Sequence, residues 1–439
     1  MKSRVAVIGA GLAGCEVAWL LGKNGIPLDL FEMKPVKYSP AHKSPYFAEL
    51  VCSNSLKSIN IYHPSFMLKE EMKILGSIVI ESAYRNRVLA GESLAVDRDK
   101  FSKYITERLR SLKTVNIIHQ EVKDIPQNYD FVVIATGPLT SETFSESLGK
   151  LLDNNFLYFY DAIAPIIDSD SIDKSKVFFG SRYDRGGDDF LNIPLTKEQY
   201  FNFVEALKSA EKVVLRPFER EQYYEGCLPI EVLAQRGELT LAYGPMKPVG
   251  FDEKRIGFKP FAVVQLRKED VEGTAYNIVG FQTKLTIKEQ ERIFRMLPGL
   301  EKAVFLRYGS IHRNTFIDSP KYLLPTLNLK DMPNIYFAGQ ITGVEGYVES
   351  AGCGIMAGIF LLFKIKDIPV DIPDAKTAIG ALLSHLKNDT KPFQPSGIHL
   401  GLFDKKDMPK NADKKIWIRN KEEESFKNWH QQISKFIIF

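Results

Sequence analysis

The sequence predicts an α/β fold, a Rossmann-like dinucleotide-binding domain interrupted by an inserted α+β domain. Three observations carry this reading. The run Val5–Ile8 is short, apolar and β-branched and ends at a glycine, the signature of a buried strand. Gly9, Gly11 and Gly14 follow it with the spacing G-x-G-x-x-G. A second apolar run, Leu28-Asp-Leu-Phe-Glu32, then ends in a carboxylate about 20 residues beyond the glycines, where a ribose hydroxyl partner belongs.

Each glycine has its own task. Gly9 allows a tight turn, Gly11 lets the backbone approach a pyrophosphate, and Gly14 lets the next helix pack close to the strand. Ala10, Leu12 and Ala13 complete the phosphate-facing turn, and Leu12 opens a helix whose positive amino-terminal end faces the ligand. Glu32 completes the expected dinucleotide site.

At 439 residues the chain suits two domains with a sizeable core. Hydrophobic content of 44% and charged content of 26% are those of an ordinary soluble protein. No apolar run approaches the ~20 residues that span a bilayer, and the first strand leaves no room for a secretory leader. A cytoplasmic protein with no membrane partner is expected. Cys15, Cys52, Cys227 and Cys353 are scattered and the seven histidines share no ligand spacing, so neither a disulfide framework nor a metal site is expected. A net charge of +4 permits a nucleic-acid partner without requiring one.

In chain order, 33–42 reads as a loop, and Ser53-Asn-Ser55 as a polar turn or helix cap. A helix is expected from Ser65 to Ser77, and another from an Asp97 cap to Leu112. Strands follow at Val115–Ile118 and Phe131–Ala135. The second ends in Ala135-Thr-Gly137, the ending that closes the first nucleotide-binding region in flavoproteins of the two-dinucleotide-binding type. Residues 181–311 read as the insertion, with candidate strands at 213–217, 239–243, 262–266 and 275–279. Its edges fall at loops near 181–185 and 312–315. The strand-then-glycine pattern recurs at Pro333–Gly339 and leads through Gln340 and Tyr347 into an apolar helix, Ala351–Phe363. Residues 1–180 and 312–403 thus form one discontinuous dinucleotide-binding domain. The lysine-rich tail, 404–439, suits either a solvated helix or an RNA contact. Arg182, Arg185, Lys247, Arg255, Arg267, Lys284 and Arg313 read equally as phosphate contacts or as solvated surface.

Cys15 and Cys353 sit among small apolar residues and read as packing thiols. Cys52 and Cys227 have polar, turn-forming neighbours, so a buried thiol and a reactive one both fit the spacing. Tyr347 fits a ring stacked on a cofactor and a core aromatic equally well.

Long motifs carry a resemblance. They include Glu32-Met-Lys-Pro35, Pro40-Ala-His42, Phe47-Ala-Glu-Leu-Val-Cys-Ser-Asn-Ser-Leu56, Glu225-Gly-Cys-Leu-Pro-Ile-Glu231, Gly244-Pro-Met-Lys-Pro-Val-Gly250, His312-Arg-Asn-Thr-Phe316 and Gly339-Gln-Ile-Thr-Gly-Val-Glu-Gly-Tyr-Val-Glu-Ser350. Over most of the chain, to about Gly401, the sequence resembles the TrmFO family of folate- and FAD-dependent RNA (uracil-5-)-methyltransferases. More distantly it is similar to the GidA flavoproteins of tRNA wobble-uridine modification. The resemblance implies an FAD site built from Gly9–Gly14, Glu32, Gly137, Gly339, Gln340 and Tyr347. It also implies 5,10-methylenetetrahydrofolate as carbon donor, NADH or NADPH as reductant, and Cys52 and Cys227 as the catalytic thiols. In that scheme Cys227 adds to uracil C6 and Cys52 assists removal of the C5 proton; the exchanged roles fit as well. The implied substrate is the T-loop uridine of tRNA, position 54, with a 23S rRNA uridine or a GidA-like partner role as alternatives. The chain departs from the family at Ile193, where cysteine is common, at 393–403, and throughout the lysine-rich tail. These departures leave the RNA target open. The oligomeric state is not legible.

Overall fold

Strand β1 (Val5–Ile8) is wholly buried, and its parallel pairing on both edges makes it the centre of a five-stranded sheet. The computed structural model describes residues 3–153, 156–184, 187–213, 228–251, 256–389 and 393–439. Helix α1 (Leu12–Lys23) follows β1 and returns the chain to β2 (Leu28–Glu32). The sheet order is Ile335–Phe337, Phe131–Ile134, β1, β2, Val115–His119, every pair parallel. Strands buried on both faces need continuous apolar runs, which is why these segments stand out in the sequence. The strand expected late in the chain joins this sheet beside Phe131–Ile134, so the ends of the chain build one core.

The helix expected at 351–363 runs from Tyr347 to Ile365 and packs along α1. Its 19 residues are long and apolar enough to cross a membrane, which corrects the sequence reading that no such run exists. Glu349 and Lys364 mask the run in the sequence, and the helix is buried in the first core.

A second core lies between 167 and 305, on a six-stranded antiparallel sheet. Its order is Phe178–Phe179, Phe190–Leu195, Ala262–Lys268, Ala275–Ile278, Ile166–Asp168, Phe305–Arg307. The antiparallel pair Phe156–Ile163 and Ser310–Ile317 joins the two cores. Residues 312–315, expected as a loop, therefore lie within a strand. Residues 182–184 form a tight turn between two strands of the same sheet rather than an edge of the unit. Residues 240–243, expected as a strand, form a short helix. There the N–H groups of Tyr243 and Gly244 turn back to Leu239 and Leu241, while Ala242 donates to the Tyr200 hydroxyl, leaving no free edge for a partner strand. Of the strand expected at 213–217, all but Val213 lies outside the described residues.

The lysine-rich tail forms a helix that is solvated on one face and packed on the other. Lys414–Ile433 is helical and buries Ile418, Phe426, Trp429 and Ile433 in the first core. The Trp429 indole donates to the Asp371 carbonyl at 2.8 Å. Its lysines remain on the outer face.

Candidate functional site

The glycine turn closes over the carboxyl end of β1. Gly9 has φ +98°, and a Cβ there would lie 2.6 Å from the Ala135 carbonyl oxygen. At Gly14 a Cβ would meet the Gly9 carbonyl oxygen at 1.8 Å. Gly11 differs: nothing lies within 4 Å of its Cβ position, because that side of the turn faces a cleft. The same is true of Gly137, at the end of the adjacent strand. Glu32 fixes the turn from the neighbouring strand end: one carboxylate oxygen accepts the Ala10 N–H at 2.9 Å and the other the Lys34 N–H at 3.0 Å. Each oxygen keeps a lone pair for a hydroxyl.

Gly9, Gly11 and Glu32 line a cleft of about 1110 Å³, with Ala10, Leu12, Ala13, Gly137, Gly339, Gln340 and Tyr347 on its walls. An open backbone edge at a helix amino terminus, a carboxylate at the next strand end and a long cleft between them fit a dinucleotide. Of the sequence-derived cofactor residues, all but Gly14 line this one cleft; Gly14 packs under the turn against the Gly9 carbonyl.

A second cleft of about 1120 Å³ adjoins it, and Val51, Pro138, Leu139, Gln340 and Tyr347 line both. Cys52 opens into the second cleft, half-buried, its sulfur 3.8 Å from the Ala162 carbonyl oxygen. Tyr347 stands at the shared wall. Its hydroxyl oxygen accepts the N–H groups of Cys52 at 2.6 Å and Ser53 at 3.1 Å, so the ring holds the thiol loop in place. Burial, and then the proximity of Cys52, push the Tyr347 phenol well above its ordinary range, so it stays protonated and can donate. Cys15 and Cys353 are buried; Cys15 donates to the Ala10 carbonyl, and Cys353 contacts the Thr342 hydroxyl. Cys227 lies outside the described residues.

Residues 53–55, expected as a turn or helix cap, are ties to the second core. Ser53 accepts from Arg267 at 2.8 Å, and the Asn54 amide donates to the carbonyls of Val96 and Lys268. Strand β3 (Ser55–Ser58) then leads to helix α2 (Pro64–Ile74).

Sequence reasoning missed the charges that gather here. Arg98 pairs with Glu269 at 2.5 Å and donates to the Leu50 carbonyl, while Arg307 reaches the Ala41 carbonyl. Arg98, Arg267 and Arg307 all interact electrostatically with Cys52. Arg267 and Lys284, read equally as phosphate contacts or solvated surface, are buried. Arg182 is committed to Gln265 and the carbonyls of Lys247 and Val249. Arg185 and Arg255 lie outside the described residues.

His42 and His312 flank the arginines. Burial, with Lys34 and Arg307 adding to it, lowers His42 to about 4; burial and Arg307 lower His312 to about 4. Both rings are therefore neutral at pH 7, and the positive charge of the site rests on guanidinium groups. The motifs Pro40-Ala-His42 and His312-Arg-Asn contain both histidines, but no spacing links residues 270 apart. Among the described residues no cluster of His, Cys, Asp and Glu could hold a metal ion.

Fold and clefts together define a Rossmann-type dinucleotide-binding protein of the flavoprotein class. The family model described as Glucose inhibited division protein A matches residues 4–369. A protein of Pelobacter propionicus, named methylenetetrahydrofolate--tRNA-(uracil-5-)-methyltransferase TrmFO, is 50% identical over 438 residues, covering 99% of this chain and 96% of its own. A Geotalea uraniireducens protein of the same name is 53% identical over 405 residues, covering 92% and 93%. Among solved structures, Aquifex aeolicus GidA superposes with a TM-score of 0.70 over 98% of this chain and 74% of its own; at 17% identity this is a likeness of fold. The chain belongs to the TrmFO family, within the glucose-inhibited division protein A group.

Proposed function

We propose that the chain transfers a one-carbon unit from 5,10-methylenetetrahydrofolate to C5 of the T-loop uridine of tRNA, with FAD in the glycine-lined cleft and NADH or NADPH as reductant. The observation that carries the reading is the junction of the two clefts. A cysteine opens into the second cleft, one tyrosine away from the glycine-lined one. The names of the relatives supply the carbon donor and the RNA.

Bound there, FAD would supply the electrons that take the one-carbon unit to a methyl group. The protein's part is to activate an inert carbon. The Cys227 thiolate adds to uracil C6, and the electron pair moves to C5 as an enolate. C5 then bonds to the donated methylene, and Cys52 takes the C5 proton as the bond from that methylene to its carrier nitrogen breaks. Two-electron reduction of the resulting exocyclic methylene to methyl expels the Cys227 thiolate from C6 and restores the ring. Tyr347 fixes Cys52 through two amide N–H groups. Behind the cleft wall, Arg267 holds the thiol loop through the Ser53 hydroxyl, and Arg98, ion-paired with Glu269, holds it through the Leu50 carbonyl.

RNA carrying 5-fluorouracil traps the adduct, because the C5 fluorine does not leave as the proton does. Cys227→Ala is expected to abolish the covalent complex, seen as loss of the shifted band on a denaturing gel, while Cys52→Ala retains it and loses methyl transfer. An adduct formed by Cys227→Ala would remove that residue as the nucleophile. Labelled methylenetetrahydrofolate offered with separate tRNA and rRNA pools tests the target. Label confined to rRNA overturns the tRNA assignment, and label in neither favours a GidA-like partner role.

A further inference from the structure

The second cleft continues outward along a cationic ridge. Lys57, on its wall, is ion-paired with Glu349 at 2.5 Å, and the Gly397 Cβ position lies 3.0 Å from the Lys57 ammonium. The loop that brings Gly397 there carries exposed His399 and half-buried Lys405, whose ammonium caps the Leu400 and Gly401 carbonyls at 3.0 Å each. On the other side β3 runs into α2 through an exposed turn, Ile61-Tyr62-His63.

The carboxyl-terminal helix lies along α2 in register. Arg419 sits over the Phe66 ring at 5.6 Å, and Glu422 touches Glu71. One turn before Arg419, Lys415 therefore comes beside His63, one turn before Phe66. The same proximity appears in the charges: Lys415 and Lys57 both act on His63, and Lys405 and Lys414 both act on His399. Lys414 and Lys415 are exposed. Of the nearby carboxylates, Glu349 is paired with Lys57, Glu345 on the cleft wall accepts from the Gln340 amide, and Asp413 and Asp404 keep their charge while accepting the backbone N–H groups of Lys415, Ile416 and Lys406.

We infer that Lys405, Lys414 and Lys415, with exposed Tyr62 and His63 beside them, form a track for the sugar-phosphate backbone of the RNA whose base enters the second cleft. The inference rests on the proposed function for the nature of the partner. Its own content is the path: out of the cleft at Lys57, across the amino-terminal end of α2, and onto the amino-terminal turn of the tail helix. Charge complementarity argues for RNA, since the ridge is cationic and begins at the cleft itself. Tyr62 is 38% exposed and offers a ring on which a base can stack. The lysine-rich composition of the tail, which the packing of its apolar face leaves unexplained, then has a use.

Fluorescence anisotropy with a labelled tRNA, titrated across salt concentrations, tests the track. Lys414→Gln/Lys415→Gln is expected to reduce the slope of log Kd against log salt by about 1 per lysine removed. Lys174→Gln/Lys302→Gln, on the second core, is expected to leave the slope unchanged. Unchanged melting temperatures in both proteins show that packing is intact. Equal slopes in the wild type and the tail variant overturn the track while leaving the proposed function standing. Equal losses in both variants overturn it as well, by showing general charge dependence. Failure of the wild type to bind any RNA is the separate result that removes the function.

Discussion

Gly11→Val is expected to give a folded protein that purifies without flavin, whereas Gly14→Ala is expected to give little folded protein at all. The two glycines sit three residues apart in one turn and look equivalent in the motif, yet their surroundings are opposite. A Cβ at Gly14 would lie 1.8 Å from the Gly9 carbonyl oxygen, a backbone atom that can move only if the turn is rebuilt. That overlap belongs with severe overpacking, at about 3 kcal/mol or more. At Gly11 the Cβ position is open, so the valine side chain enters the cleft rather than the protein. The cost to folding is about 1 kcal/mol, from a poorer cap at the start of α1. The cost to a pyrophosphate is its binding surface. The flavin Kd should rise by roughly 100-fold for Gly11→Val, equivalent to about 2.7 kcal/mol of binding, and the purified protein should lose most of its visible flavin absorbance relative to its protein absorbance. Melting temperature measured without added cofactor separates the two variants. Full flavin retention by Gly11→Val would show that the phosphates lie elsewhere.

The same contrast explains what was legible in the sequence. The first cleft is written in local chemistry: a β-branched run, a turn that only glycine can make, and a carboxylate at the next strand end. Each is a short-range demand, so Gly9–Gly14 and Glu32 could be read without a fold. The charged surroundings of Cys52 are assembled from distant segments. Arg98 begins a helix, Arg267 sits on the second-core sheet, and Arg307 lies near the crossing strand, and no spacing connects them to Cys52. His42 and His312 stood in visible motifs, but their neutrality comes from burial beside cations. The packed face of the tail is not legible because its lysines dominate its composition. Ile418, Phe426, Trp429 and Ile433 are too few to announce an apolar face, yet they suffice to bury it.

That buried face carries a second large expected effect, a loss of stability on the alkaline side that Glu422→Gln reduces. Glu71 on α2 and Glu422 on the tail helix are both buried and in hydrogen-bond contact. Two carboxylates at that distance cannot both ionise, so the pair keeps a proton. Burial and then the Glu422 charge raise Glu71 well above 4.5, and burial raises Glu422. In the unfolded chain both carboxyls ionise near 4.5. Above that pH the folded state holds more protons than the unfolded one, so stability falls as pH rises, by about 1.4 kcal/mol per unit for each proton retained. The fall ends only where the folded pair releases its proton. Glu422→Gln replaces the shared proton with an amide N–H that never titrates, and Arg419 keeps its other partner, Glu423. Glu71→Gln is not equivalent. The Glu71 carboxylate accepts the N–H groups of Ala378 and Ile379 at 2.7 Å each, and an amide has one oxygen to offer them. It is expected to destabilise by about 1–3 kcal/mol at every pH. Urea unfolding between pH 5.5 and 8.5 distinguishes the cases. Glu16, pushed up to about 8 chiefly by burial, adds the same slope to the wild type and to Glu422→Gln and cancels in the comparison. Parallel slopes in those two proteins would mean that the pair holds no proton, and that the tail helix is fastened by its apolar residues alone.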